Sequence, residues 1–227
     1  MVTVPARNPM PEPTLMHIAI LAKAPVAGWA KTRLIPALGA EGAARLQRQF
    51  TRQAVHTAQA AALGPVTLWC APQTGHRFFR ALQRTTGVGC QAQPDGDLGE
   101  RMHSAFRLHC ADSPLLLIGT DCPALRPEHL QRAAQALGDG ADAVFIPAED
   151  GGYCLVGLRQ PQPELFLGMS WSHAGVMSET RRRAAALGLK LCELAPLWDV
   201  DLPADLARLA VLNAAAAANT AARPGPA

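Results

Sequence analysis

The sequence predicts an α/β protein built on a mostly parallel sheet. Short apolar segments alternate along the chain with longer segments of helical periodicity, which is the pattern of a parallel sheet covered by helices. The segment Leu115–Ile118 is apolar at every position, as expected of a strand buried on both faces at the centre of such a sheet. Ligands of these sheets bind at the carboxyl ends of the strands, so the residues that follow each strand are the first candidates for a site.

The other elements follow from apolar periodicity and from the glycine and proline residues that interrupt it. The predicted strands cover residues 17–22, 66–70, 88–91, 115–118, 143–146, 154–158 and 190–194. The predicted helices cover residues 39–63, 78–83, 98–109, 127–137, 174–187 and 203–212. Ser172 is the predicted N-cap of the helix over 174–187. Residues 1–15 are predicted to be a disordered extension and 213–227 a flexible tail, which leaves one domain over 16–212.

Composition excludes several classes of function. A net charge of +3 is too small to indicate binding to nucleic acid or to a membrane surface, and no apolar run is long enough to be inserted in a bilayer. The first fifteen residues lack the apolar core of a signal peptide. The six cysteines are dispersed and form no Cys-x-x-Cys pair, which argues against a disulfide framework or a structural zinc site. These features predict a cytoplasmic protein with reduced thiols.

Carboxylates at two places suggest a metal site. Asp121 comes directly after the central strand, where a carboxylate must be solvated, paired or bound to a cation. The alternative is that Asp121 only caps the helix that begins near Pro127. Asp199 and Asp201 occupy alternate positions and share one face if their segment is extended, so one of them can complete a metal site begun by Asp121.

A basic loop follows the first strand. It contains Lys23, Lys31 and Arg33 among glycine and proline residues, a composition that can bind phosphates through backbone N–H groups and side-chain charge. It is not a Walker A loop, because Pro25 and Ala30 stand at the required glycine positions. The alternative is a solvated basic loop.

Two further loops carry charged residues next to glycine. The loop over 94–102 suits recognition of a base or a sugar, although Asp97 there is equally explained as a helix N-cap. Glu149 and Asp150 precede a Gly-Gly pair. If the backbone is extended, these two carboxylates point to opposite faces and only one faces a ligand. A plain hairpin turn is the alternative.

Five blocks of this sequence, taken together, resemble a known family. The blocks are 22–25 with Gly28 and 31–34, then 96–102, 119–123, 149–153 and 199–201. They resemble, in the same order, the GT-A-type glycosyltransferase-like family that includes arsenosugar-biosynthesis glycosyltransferases, which is related to the phospholactate guanylyltransferases. This sequence departs from that family at Ile146, where glycine is frequent, and at Leu202, where threonine is common.

The resemblance implies a Rossmann-like three-layer sandwich with a mostly parallel mixed sheet, a nucleotide bound over the first loop, and Mg²⁺ or Mn²⁺. It implies that Asp121 and Asp201 are the metal ligands, and Lys31, Asp121 and Asp150 the catalytic residues. The nucleotide-binding residues it implies are Ala22, Lys23, Gly28, Lys31, Arg33, Asp97, Gly99 and Arg101. With Asp201 as the direct ligand, Asp199 is expected to hold a water molecule or a basic loop residue.

The sequence-based hypothesis is therefore a metal-dependent transferase with a nucleotide or nucleotide-sugar donor and a small-molecule acceptor. Glycosyl transfer is favoured, because the first loop lacks the Gly-Gly start of the sugar nucleotidylyltransferases. Nucleotidyl transfer with release of pyrophosphate is the close alternative. A non-catalytic nucleotide-binding domain is a third reading, which the presence of Lys31, Asp121 and Asp201 argues against. A homodimer is compatible with the sequence.

Overall fold

A single seven-stranded sheet forms the centre of the protein, as seen in a computed structural model that describes residues 15–110 and 113–221. The strands are β1 His17–Lys23, β2 Val66–Ala71, β3 Gly89–Ala92, β4 Leu115–Ile118, β5 Ala143–Pro147, β6 Tyr153–Leu158 and β7 Leu191–Glu193. Their order across the sheet is β3-β2-β1-β4-β6-β5-β7. Strand β6 is antiparallel to both of its neighbours, and the other pairings are parallel. The predicted mixed, mostly parallel sheet is confirmed.

Helices cover both faces of this sheet. They are α1 Ile35–Ala60, α2 Arg77–Thr86, α3 Leu98–His109, α4 Pro127–Gly138, α5 Val176–Ala186 and α6 Asp205–Ala221. Helices α1, α2 and α4 pack on one face, and α3 and α5 pack on the other. Strand β4 contributes to both cores and is fully buried, as its all-apolar sequence predicts.

Several predicted helix ends differ from those observed, with the main differences at α1, α5 and α6. Helix α1 begins at Ile35 and is interrupted by Gly39, whose φ of +69° is left-handed. The prediction that Ser172 caps α5 is wrong, because Ser172 itself has a φ of +66° and the N-cap is Gly175. Helix α6 continues to Ala221 rather than ending at residue 212, since its alanine-rich sequence has high helix propensity. Residues 1–14 and 222–227 of the predicted extension and tail lie outside the described residues.

The topology brings several chain segments to one edge of the sheet. Strands β1, β4 and β5 are parallel, so their carboxyl ends meet at the same edge. The chain between β7 and α6 crosses this edge, where Val200 N–H donates to the carbonyl of Asp121 over 2.9 Å. A separate apolar cluster that includes Leu34, Phe50 and Val200 fixes α1 beneath this crossing. Within the described range, no helix has the length and apolar character needed to cross a membrane.

Candidate active site

A cavity of about 690 Å³ opens at the carboxyl edge of the sheet. Its walls come from the loop after β1, the start of α3, the ends of β4 and β5, and the segments before α5 and α6. The predicted site residues that line it are Ala22, Lys23, Lys31, Arg33, Arg101, Asp121, Asp150 and Asp201. Gly28, Asp97 and Gly99, which were predicted to bind the nucleotide, do not line this cavity.

Lys31 links the basic loop to two carboxylates at the cavity floor. Its Nζ lies 2.9 Å from Oδ1 of Asp121 and 3.7 Å from Oδ1 of Asp201, and it donates to the carbonyl of Val200. The Lys31 side chain is only 3% exposed, and its backbone takes a left-handed φ of +51°. The loop therefore directs the Lys31 ammonium into the protein. The alternative of a solvated basic loop is wrong for this residue.

Asp201 is held from two sides. Its Oδ2 accepts a hydrogen bond from Nη1 of Arg33 over 2.7 Å. Its backbone N–H donates to Oδ2 of Asp205, at the start of α6, over 2.9 Å. Lys31 and Arg33 thus both contact Asp201. The expectation that Asp199 holds a basic loop residue is not met within the described residues.

Asp121 is oriented by a buried polar chain. The hydroxyl of Thr120 donates to Oδ1 of Asp121 over 3.0 Å, and the side-chain amide of Gln47 on α1 donates to that hydroxyl over 3.1 Å. Gln47 and Thr120 are buried among apolar neighbours, so these bonds fix the direction of the carboxylate. The alternative that Asp121 caps the next helix is wrong, because the N-cap of α4 is Arg126.

The two carboxylates before the Gly-Gly pair have different surroundings. They lie in the tight turn between β5 and β6, as the hairpin alternative predicted, but this turn also brings Asp150 to the cavity. Glu149 pairs with Arg208 on α6, with Oε2 and Nη1 2.6 Å apart. Asp150 lines the cavity, and its Oδ1 accepts the N–H of Gly152 over 2.9 Å. Only Asp150 is therefore available to a ligand.

Negative charge accumulates on this side of the cavity. Burial, together with the nearby carboxylates of Asp150, Asp201 and Asp121, raises the pKa of Asp199 to about 6. Among these four aspartates, only Asp121 and Asp201 pair with cations of the described residues, namely Lys31 and Arg33.

Carboxylate oxygens at the cavity floor are arranged as possible ligands of a divalent cation. Oxygens of Asp121 and Asp201 converge on the point held by the Lys31 ammonium, and the Oδ2 of Asp121 accepts no hydrogen bond within the described residues. Those residues contain no preassembled cluster of three or more His, Cys, Asp or Glu ligands. Mg²⁺ is commonly held by one or two carboxylates together with substrate phosphates and water, so a two-carboxylate site fits this ion.

Two predicted residues of the second loop make structural contacts at the start of α3. Asp97 caps α3 by accepting the N–H of Glu100, whose side chain accepts the N–H of Asp97 in return. Gly99 packs so closely that an added Cβ would lie 2.3 Å from the carbonyl oxygen of Phe166. The helix-cap reading of Asp97 is confirmed.

Several cavity residues were missed by the sequence analysis, among them Gln93, Trp29 and Trp171. Gln93 follows β3 and donates to the carbonyls of Ala22 and Trp69, joining the ends of two strands. Trp29 lies in the basic loop with 63% of its surface exposed. Trp171 lies before α5. Gln93 could have been found from its position after a strand, whereas no pattern pointed to either tryptophan.

The fold resembles those of solved nucleotide-dependent enzymes. A protein from Desulfovibrio desulfuricans G20, provisionally named a nucleotide-diphospho-sugar transferase, is 29% identical with a TM-score of 0.74, and the match covers 83% of each chain. The 4-diphosphocytidyl-2C-methyl-D-erythritol synthase of Anaerococcus prevotii DSM 20548 shares the fold with a TM-score of 0.61 and 8% identity, over 89% of this chain and 100% of the other.

CMP:2-keto-3-deoxy-manno-octonic acid synthetase, solved with CTP, shares the fold with a TM-score of 0.54 and 14% identity, over 88% and 98% of the two chains. No curated protein matches the sequence. A family model, described as "Uncharacterized protein conserved in bacteria (DUF2064)", matches residues 54–173, which is more than half of the chain. The chain belongs to this family.

Proposed function

We propose that the protein is a transferase that uses an activated nucleotide donor, and that the group it transfers is a sugar. The observation that carries this proposal is the meeting of Lys31 with Asp121 and Asp201 at the floor of a large cavity. A diphosphate requires cationic side chains as partners, and a divalent cation requires carboxylates. The likeness to the provisionally named nucleotide-diphospho-sugar transferase supports the choice of a sugar.

The basic loop is assigned to the diphosphate. Lys23, Lys31 and Arg33 line one part of the cavity, and two of them are already paired with carboxylates. A bound diphosphate can take the place of these carboxylates as the partner of Lys31 and Arg33. The buried ammonium of Lys31 is then not left unpaired. When the donor bond breaks, negative charge grows on the departing phosphate oxygens, and these cations stabilise it.

Asp121 and Asp201 are assigned to the cation. Mg²⁺ held by these two carboxylates would neutralise charge on the diphosphate leaving group. Gln47 and Thr120 keep the Asp121 carboxylate directed at this place, and Arg33 does the same for Asp201.

Asp150 is assigned to proton transfer. Its Oδ1 is engaged by the N–H of Gly152, whereas its other oxygen remains available to accept the proton of an acceptor hydroxyl. The turn that holds it is fixed by Gly151, since a Cβ there would lie 2.1 Å from the carbonyl oxygen of Ala174.

Nucleotidyl transfer is the second candidate. It is favoured by the shared fold with two cytidylyl-transferring enzymes, one of them solved with CTP. The same cations and carboxylates would then act on the α-phosphate, and the leaving group would be pyrophosphate.

The products distinguish these candidates. The purified protein is incubated with Mg²⁺, a panel of nucleotide sugars or nucleoside triphosphates, and candidate acceptors. Release of nucleoside diphosphate supports sugar transfer, and release of pyrophosphate supports nucleotidyl transfer. Lys31→Met should lose the activity, whereas Lys190→Met, which removes an exposed lysine outside the cavity, should keep it. If nucleotides bind but neither product forms, both candidate functions are contradicted, and a non-catalytic nucleotide-binding domain is favoured.

A further inference from the structure

His173 lies at the cavity, in the segment between β6 and α5. Its side chain is exposed and lines the cavity together with Asp150 and Ser172. The residues assigned to the diphosphate, the cation and proton transfer do not include it. An imidazole at this place is therefore open to contact with a ligand.

The ring of His173 is held in one protonation form. Its Nδ1 accepts the backbone N–H of Gly175 over 3.0 Å. The ring also packs closely on this backbone, since a Cβ added at Gly175 would lie 2.9 Å from Nδ1 and from Cε1. A ring nitrogen that accepts an N–H carries no proton, so in the neutral imidazole the proton is on Nε2. Nε2 has no hydrogen-bond partner among residues 15–110 and 113–221, which leaves an N–H donor for a ligand.

Backbone contacts fix this segment against the turn that holds Asp150. The N–H of Met177 donates to the carbonyl of Gly151 over 2.8 Å. A Cβ added at Gly151 would lie only 2.1 Å from the carbonyl oxygen of Ala174 and 2.6 Å from its Cα. Gly151 follows Asp150 in the chain, and Ala174 follows His173. The two side chains thus come from neighbouring backbone positions on one side of the cavity.

This side of the cavity favours an uncharged ligand group. Asp150 forms no ion pair with any lysine or arginine that the structure describes, in contrast to Asp121 and Asp201. His173 is neutral in its Nε2–H form. A phosphate or carboxylate placed here would face a carboxylate whose charge is not neutralised, and like charges at short range repel.

A hydroxyl group suits the two side chains because it both donates and accepts. One oxygen of Asp150 is engaged by the N–H of Gly152, and the other can accept from a ligand hydroxyl. The Nε2–H of His173 can donate to the oxygen of the same or a neighbouring hydroxyl. Trp171, two residues before His173, lines the same cavity and adds aromatic surface on which C–H groups can pack. Hydroxyl groups on a C–H framework are the chemistry of a sugar.

We propose that His173 and Asp150 form a subsite for the hydroxyl groups of an uncharged sugar acceptor, with His173 donating through Nε2 and Asp150 accepting. The word acceptor rests on the proposed function, whereas the sugar subsite rests only on the two side chains. The sugar of a nucleotide-sugar donor has the same hydroxyl chemistry, so the experiment must distinguish these two sources.

The first arm of the test uses NMR on the nucleotide-free parent protein. Long-range proton–nitrogen spectra of the histidine rings should show His173 with its proton on Nε2. Methyl α-D-glucopyranoside and methyl α-D-galactopyranoside are then titrated in turn. At least one of them should shift the His173 Nε2 signal and the amide signals of residues 150–153. The proposal is overturned if neither glycoside shifts these signals, or if the proton is found on Nδ1.

Variants separate sugar binding from a purely structural role of His173. In His173→Asn, the side-chain oxygen can still accept the N–H of Gly175, but the Nε2–H is lost. We expect glycoside affinity, followed by the amide shifts, to fall about fivefold at unchanged Tm. His173→Ala should show the same loss of affinity together with a lower Tm, because it also loses the bond to Gly175.

The matched control is His76→Asn. The Nδ1 of His76 accepts the N–H of Phe78 in the same local pattern, and His76 does not line the cavity. Glycoside affinity in this variant should equal that of the parent. If His173→Asn also keeps the affinity of the parent, His173 only holds the backbone and the proposal is overturned. The first arm decides by itself if a variant does not unfold cooperatively, since it needs only the parent protein.

The second arm identifies the source of the hydroxyl groups. The glycoside titration is repeated with Mg²⁺ and saturating UDP-, GDP- or ADP-glucose, and then with the corresponding nucleoside diphosphates. The proposal expects the glycoside to bind in the presence of the nucleotide sugar. If a nucleotide sugar displaces the glycoside and its nucleoside diphosphate does not, the subsite holds the donor sugar and the acceptor assignment is overturned. If none of these nucleotides binds the parent protein, the proposed function is contradicted, while the first arm still decides on the sugar subsite.

Discussion

The loop after β1 and the loop after β3 both contain glycine, both carry charged residues and both lead into a helix, yet their charges find different partners. In the first loop, Lys31 and Arg33 bond to Asp121 and Asp201, which are 90 or more positions away in the sequence. In the second, Asp97 and Glu100 bond to each other's backbone N–H. Charges that bond within one helical turn stabilise that turn, whereas charges that meet across the fold assemble a site.

The largest effect is expected for Asp121→Ala. If Asp121 holds a cation against the diphosphate, the loss of activity should be about 100-fold or more, and Mg²⁺-dependent nucleotide binding should disappear. Calorimetry with and without Mg²⁺ measures the binding. Asp139→Ala is the control, because Asp139 caps the distant end of α4. Equal Mg²⁺-dependent affinity in variant and parent would show that Asp121 is not a metal ligand.

The next effect separates Asp201 from Asp199. Asp201 contacts Lys31 and Arg33, whereas Asp199 is half-buried near other carboxylates. Asp201→Asn should lower Mg²⁺-dependent activity about 10- to 100-fold, and Asp199→Asn should lower it several-fold less. Activity measured against Mg²⁺ concentration gives the comparison. Equal losses would indicate that both carboxylates bind the cation, and a larger loss for Asp199→Asn would reverse the assignment.

A smaller effect, on stability alone, is expected in the second loop. Asp97→Ala removes the N-cap of α3 and should cost about 1 kcal/mol of the free energy of unfolding. For a chain of this size that corresponds to about 2–4 °C in Tm. Asp97→Asn keeps a capping oxygen and should be nearly neutral. Nucleotide affinity, measured on the same samples, should be unchanged. A loss of affinity in Asp97→Ala at unchanged Tm would make the second loop part of the site.

The smallest effect concerns a histidine pair at the other end of β1. Burial, and then the neighbouring His109, lowers the pKa of His17 from 6.5 to about 4. The unfolded chain therefore binds the proton more readily, so this contribution to stability is complete above pH 6.5 and is lost as the pH falls towards 4. His17 is partly solvated, so the loss should be no more than about 1 kcal/mol.

Urea unfolding at pH 7 and pH 4.5 checks this expectation. His17→Gln should lose less stability on acidification than the parent, because glutamine at position 17 does not titrate in this range. His56→Gln, which removes an exposed histidine on α1, should behave like the parent. The same acid sensitivity in His17→Gln as in the parent would mean that the pair does not control it.

The sequence by itself determined the order and type of the elements and the identity of the central strand. Leu115–Ile118 is apolar on both faces, and a strand of this kind has a stable place only between two helical layers. It also determined that Asp121, at the end of that strand, would face the ligand edge. Local chemistry likewise indicated the cap at Asp97, because its partner Glu100 is three residues away.

The tertiary structure alone decided which charges meet. Nothing local to Lys31 indicates that its ammonium would be buried between Asp121 and Asp201, because that contact depends on α6 and the chain before it closing over the sheet edge. The same holds for Gln47 on α1, which the fold buries beside Thr120. Arg101 and Trp171 line the same cavity for this reason as well. Periodicity and capping act over a few residues, whereas a site is formed by packing between segments far apart in the chain.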